Sequence, residues 1–257
     1  MKSANNRVRG IVFLLSALLL TALVLNRSRI EGSANAALRR EEIDVQTQDD
    51  NLDAIVRGDF FAGMKGSKDR LDRAMKYCED ILAKNPKHGE ALVWHGGGLL
   101  VRAVHAYTRG DDATGDKLWK AGIEEMNNAA VFEPQNMKIK IGRSATLIGY
   151  AQSGWDPTDS DSRVLLESAL LDYETVYRWQ KPYFDRVPIH SRGELLFGLA
   201  SGWSILGNSN KAREYLILVL KECKDTPYEA IARRWLDQKW PVVIQHDCIG
   251  CHVSRRS

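Results

Sequence analysis

A chain of 257 residues, 27% charged and 44% hydrophobic, has the balance of a globular protein and length enough for one substantial domain or two small ones. Its formal charge of +3 is small, and basic and acidic residues are interspersed. No basic stripe with interleaved aromatics runs along any segment, so nucleic-acid binding is not expected and the charges read as solvated helical surface.

Residues 10–25, GIVFLLSALLLTALVL, are uncharged, with Lys2, Arg7 and Arg9 before them and Arg27 and Arg29 after. Sixteen apolar residues are short for a membrane span and long for a signal-peptide core. No cysteine ends the run, which excludes a lipoprotein anchor. Ala34-Asn35-Ala36 offers a cleavage site, but it lies beyond two arginines and Glu31. The expectation is an uncleaved signal anchor over residues 1–26, with a cleaved signal as the alternative. Either way the positive N-terminus stays in the cytoplasm and the body is exported. The membrane is then one partner, met through residues 10–25. Residues 27–66 are polar and read as a linker or a loosely packed entry to the domain, with a short helix near Asn51–Arg57.

From residue 67 to 238 the pattern is amphipathic helix after amphipathic helix, without credible alternating strands. Ala74, Cys78 and Pro86 stand at the same mutual offsets as Gly122, Met126 and Pro134. Each proline is expected to stop one helix and turn the chain into the next unit. Small residues at Ala74, Gly122, Ala200 and Ala212 would let paired helices approach closely. The distance from Pro86 to Pro134 requires long helices around Ala91–Thr108 and Thr114–Val131. SGWDPTDSDS at 153–162 reads as a loop, and Tyr173, Tyr177, Trp179, Tyr183 and Phe184 as packing aromatics. Ser191 with Glu194 predicts a capping box, Gly207-Asn208 a tight turn, and residues 227–238 a terminal cap helix. WHGGG at 94–98 reads as a helix-packing stretch, since no serine elbow accompanies it.

Leu196, Leu199, Ala200 and Trp203, followed by Ala212 and Leu216, reproduce the spacing of a tetratricopeptide repeat. Over residues 67–238 the chain resembles tetratricopeptide-repeat proteins. The resemblance implies an all-α solenoid of helical hairpins whose concave face holds a peptide or a partner domain.

The four cysteines are Cys78, Cys223, Cys248 and Cys251. The first two sit at apolar helix positions and read as core. The others belong to a tail, residues 239–257, that contains Cys248-Ile249-Gly250-Cys251-His252. This is the attachment pattern of c-type haem at every defining position. Two thiols at that separation can each add to one vinyl group of the macrocycle, and the following histidine then ligates the iron. A thioredoxin-like dithiol would want a helix start after a strand, and a zinc site would want a second ligand pair. A Cys248–Cys251 disulfide is the plain alternative for an exported chain. Resemblance to c-type cytochromes implies one covalent haem c attached outside the cytoplasmic membrane, which agrees with the export signal. The sixth ligand is unreadable. No methionine follows His252, which leaves His95, His105, His190 and His246, and Met64, Met75, Met126 and Met137, as candidates upstream. His95 stands where the repeat pattern wants a leucine, so burial is expected, and His190 is expected just before a helix start. WPVVI at 240–244 is an apolar strip able to lie on the helical body. No hydrolase motif or catalytic residue stands out. The expectation is an electron carrier, or a haem-bearing subunit of a redox assembly, in the bacterial periplasm or cell envelope, docking a redox partner on its repeat face. A peroxidase-like enzyme would need an open sixth position and a distal acid–base residue. A repeat scaffold without redox role is the other reading.

Overall fold

The computed structural model describes residues 52–152 and 159–244. Among them the chain forms nine α-helices and one 3-10 segment, with no strands: α1 (Leu52–Met64), α2 (Lys68–Lys84), α3 (Gly89–Thr108), α4 (Asp112–Phe132), α5 (Met137–Gln152), α6 (Ser160–Gln180), the 3-10 turn (Lys181–Arg186), α7 (Ile189–Ile205), α8 (Ser209–Glu222) and α9 (Pro227–Leu236). The all-α expectation holds. The described residues from Asp53 cluster as a single unit.

The helix ends fall where the sequence placed its punctuation. α2 stops at Lys84 and α4 at Phe132, each two residues ahead of its proline. Side chains that favour capping close the starts: Asp111 accepts from the Thr114 amide, Asp159 from Ser162 and Asn208 from Lys211. Gly207 takes a φ of 78° in the turn between α7 and α8, a conformation that side-chain-bearing residues avoid. The predicted capping box is not formed. α7 begins at Ile189, two residues before Ser191, and Pro188 occupies its N-cap. Glu194 instead accepts a hydrogen bond from the Tyr228 hydroxyl. Proline before the helix pre-sets the chain direction and moved the start upstream.

Helices α3 and α4 form a hairpin whose closeness depends on glycine. A Cβ on Gly122 would sit 2.6 Å from the Gly96 carbonyl oxygen, and one on Gly96 2.7 Å from that of Gly122. Gly98, two positions on, faces Met75 and Phe60 with no room for a methyl group. WHGGG is thus a packing stretch. The hairpin α7–α8 repeats the principle with Ala200 and Ala212, both fully buried beside Leu196, Leu199 and Leu216. The aromatic run packs in part: Tyr173 and Phe184 are buried and Tyr177 meets Phe184 and Tyr215 edge-on at 5.2 and 6.2 Å, whereas Tyr183, expected to pack, is exposed. Cys78 and Cys223 are free and fully buried, and burial pushes the Cys78 thiol up to about 12.

Two features depart from the sequence reading. The helix expected near Asn51–Arg57 extends to Met64, and it belongs to the folded body rather than to a linker ending at residue 66. Val56 and Phe60 are buried, and Phe60 stacks on Trp94 with ring centroids 5.0 Å apart. Asp59 accepts from Arg70 and Arg73 of α2 at 2.8 and 2.6 Å. The second is a buried ion cluster. Asp172 of α6 accepts from Lys140 and Arg143 of α5 at 2.9 and 2.8 Å, and Arg143 also donates to Asn127 of α4. Asp172 and Arg143 are only 5% and 8% exposed, so this cluster fixes three helices from inside the fold.

Candidate functional site

Residues 245–257 lie outside the described residues, and with them His246, Cys248, Cys251 and His252; so do residues 10–25. What is described is the chain that delivers the motif. After α9 the backbone runs through Trp240, over whose ring the Arg213 guanidinium sits at 5.3 Å, to Ile244, which is fully buried. Chain entering a core outside any helix must satisfy its amide and carbonyl groups there, and among the described residues no strand is available to do so. Two serines of α7 take that role. The Ser201 hydroxyl donates to the Ile244 carbonyl at 2.7 Å, and the Ile244 amide donates to Ser204 Oγ at 2.9 Å. Ser204 spends its own proton on the Ser201 carbonyl at 2.7 Å, so one hydroxyl both donates and accepts. Ser201 is fully buried and Ser204 nearly so.

The apolar strip therefore lies on the body, as its composition suggested. Cys248 follows Ile244 by four residues, which span at most about 14 Å of extended chain. Ser201 and Ser204 were not singled out in the sequence. Their signal was available: two serines one helical turn apart, on the core face of the apolar stretch LASGWSI.

The candidate distal ligands are not brought together. His95 and His105 share α3, near its middle and in its last turn. The His95 ring is 14% exposed, its Nδ1 2.6 Å from Glu125 Oε2 and its Nε2 3.8 Å from Glu79 Oε1, so both nitrogens face carboxylates. His190 is the second residue of α7 and not a residue ahead of it. Its Nδ1 lies 2.6 Å from the Tyr228 hydroxyl, which donates to Glu194 at 3.0 Å. That contact ties the start of α7 to the start of α9. Ile244 docks eleven or more residues along α7 from His190, about 16 Å of helix. Met75 and Met126 are fully buried, and Met137 Sδ accepts from Gln180 Nε2 at 3.1 Å. Met64 closes α1, partly buried. His88, absent from the candidates, caps α3 by accepting from the Ala91 amide.

Among the described residues no group of three His, Cys, Asp or Glu side chains is arranged for a metal ion, and no helix is long and apolar enough to cross a membrane. Compared with protein-family models, curated proteins and solved structures, the chain gave no match.

Proposed function

We propose that this protein is an extracytoplasmic mono-haem c-type cytochrome built on a tetratricopeptide-like helical scaffold, and that it transfers electrons or carries the haem of a larger redox assembly. The observation that carries the reading is the Cys248-Ile249-Gly250-Cys251-His252 pattern at the end of a chain that opens with an export signal. The donor chemistry fits haem c: Cys248 and Cys251 supply the two thioether bonds, and His252 the proximal imidazole. Haem so bound supplies a one-electron couple whose potential depends on ligation and burial. The chain's own contribution is to hold the attachment segment and to present a docking face for the redox partner. The docked run-up agrees with this, because the chain is bonded to α7 as far as Ile244, four residues before Cys248. The packed hairpins α3–α4 and α7–α8 support the repeat scaffold. Anchorage through residues 10–25 would place the N-terminus inside and the haem outside the cytoplasmic membrane.

The test is haem staining on a denaturing gel after expression with a cytochrome-maturation system. Wild type is expected to stain, and Cys251→Ala to lose most of the signal. Equal weak staining of both would leave the rival reading, an envelope scaffold with no redox role.

A further inference from the structure

Helix α1 lies in a seat cut into α2 and α3. Gly98 of α3 has no side chain, and a Cβ there would strike Met75 and come 2.6 Å from the Phe60 ring. Phe60 fills that notch, stacked on Trp94. One turn further along α1, Gly63 passes over Leu71 of α2, which a Cβ would meet at 2.7 Å. The seat is matched in charge as well as shape. Asp59 accepts from Arg70 and Arg73, and the Gly58 carbonyl accepts from Arg70 at 3.0 Å. An amphipathic helix in an apolar groove beside two cations is a mode of recognition that works equally well between chains. The turn that keeps α1 in its own chain is short. Gly66 holds a φ of 99°, and the Gly66 and Ser67 amides donate to the Gly63 and Ala62 carbonyls at 2.9 Å each. Ser67 stands at the N-cap of α2, yet its side chain makes no capping bond. Were this turn to straighten into helix, carbonyls ending α1 would accept from amides starting α2. Gly66 opposes that change, because glycine favours the left-handed turn and disfavours helix.

We propose that the groove on α2 and α3 is a docking site for α1 of a second copy: the turn at 65–67 opens, and two copies exchange their first helices. Each Phe60 then fills the notch at Gly98 of the other copy, and each Asp59 meets the other copy's Arg70 and Arg73. Every side-chain contact of α1 is kept, so within each copy only the turn changes. The exchange is reciprocal and closes at two copies. Its balance is set by the turn and by protein concentration, and it is independent of haem.

The experiment uses the full chain in detergent and reductant, so that neither residues 10–25 nor Cys248 and Cys251 join copies by another route. Mass by light scattering is read against concentration for four chains: wild type, Gly66→Ala, Gly66→Ala/Phe60→Ala, and one with a short glycine-serine insert after Gly66. Gly66→Ala strains the turn and favours continuous helix, and each dimer contains two converted turns. It is expected to dimerise at a concentration about tenfold or more below that of wild type. Adding Phe60→Ala should remove that dimer. The lengthened turn lets α1 reach its own groove, and that chain should stay monomeric. Amides of residues 53–64 should exchange as slowly in the dimer as in the wild-type monomer. A Gly66→Ala chain that stays monomeric with those amides protected overturns the proposal, as does a dimer that survives Phe60→Ala. A monomer with those amides unprotected overturns it too, and leaves the groove to a helix of another protein. Should Gly66→Ala fail to fold by circular dichroism, wild type and the lengthened chain carry the test. Wild type must then dimerise at the lower concentration, and equal behaviour of the two overturns the exchange.

Discussion

At single positions the fold is decided by what cannot be added. Gly122 and Gly96 bring two backbones into contact, and a methyl group on either would press on a carbonyl oxygen of the other helix. Gly122→Ala is expected to destabilise by about 1–3 kcal/mol through overpacking, read as a lower denaturant midpoint. Gly149, in the last turn of α5 with nothing within 4 Å of a built Cβ, should behave oppositely. There Gly149→Ala is expected to stabilise by about 0.4–1 kcal/mol, because only the entropy of the unfolded chain changes. Charge obeys the same dependence on surroundings. Asp172→Ala strands Arg143 and Lys140 inside the fold and should cost about 3–5 kcal/mol. Breaking the exposed Arg163–Glu167 pair, both side chains about half exposed, should cost no more than about 0.5 kcal/mol. Parallel melts of the two variants check the contrast.

Among the elements, α1 depends most on a few contacts. Its buried face is short, Leu52, Val56, Phe60 and Ala62, and Asp59 beside it reaches Arg70 and Arg73. The hydrogen bond from Arg73 is the main reason the Asp59 carboxyl titrates below its ordinary value of 3.8, with Arg70 adding and partial burial opposing. A folded value below the unfolded one means the unfolded chain binds more protons on acidification. The stabilisation is thus complete above about pH 4 and is lost as pH falls through the lowered value. Docking of α1 should loosen there ahead of the other helices, seen as faster amide exchange in residues 53–64. Asp59→Asn should weaken α1 at neutral pH and flatten that acid dependence. The element was legible only in part, since its short buried face, Leu52, Val56, Phe60 and Ala62, follows directly on a long polar stretch. The helices from α2 to α9 were far plainer, because Pro86, Pro134 and Gly207 punctuate long amphipathic runs. The Asp172 cluster was invisible for a different reason: a charge on an amphipathic helix reads as solvated until another helix covers it.

For the whole molecule the question is whether the tail is an appendage or the last piece of the core. The sequence supplied the attachment pattern and an apolar strip before it, but not the surface that receives the strip. The contacts to Ser201 and Ser204 join residues 43 and 40 positions apart, and no local pattern encodes such a pairing. If the strip is part of the core, stability should depend on it independently of haem. A chain ending at Ile244 keeps the buried side chain and both serine bonds, whereas one ending at Lys239 loses them. Full burial of an isoleucine contributes about 1.5–3 kcal/mol, and the two hydrogen bonds roughly 1 kcal/mol each. The shorter chain should therefore be less stable by about 3.5–5 kcal/mol, while the chain ending at Ile244 melts with the full-length protein and takes up no haem. Equal melting of the two truncations would mean that the strip only rests on the surface.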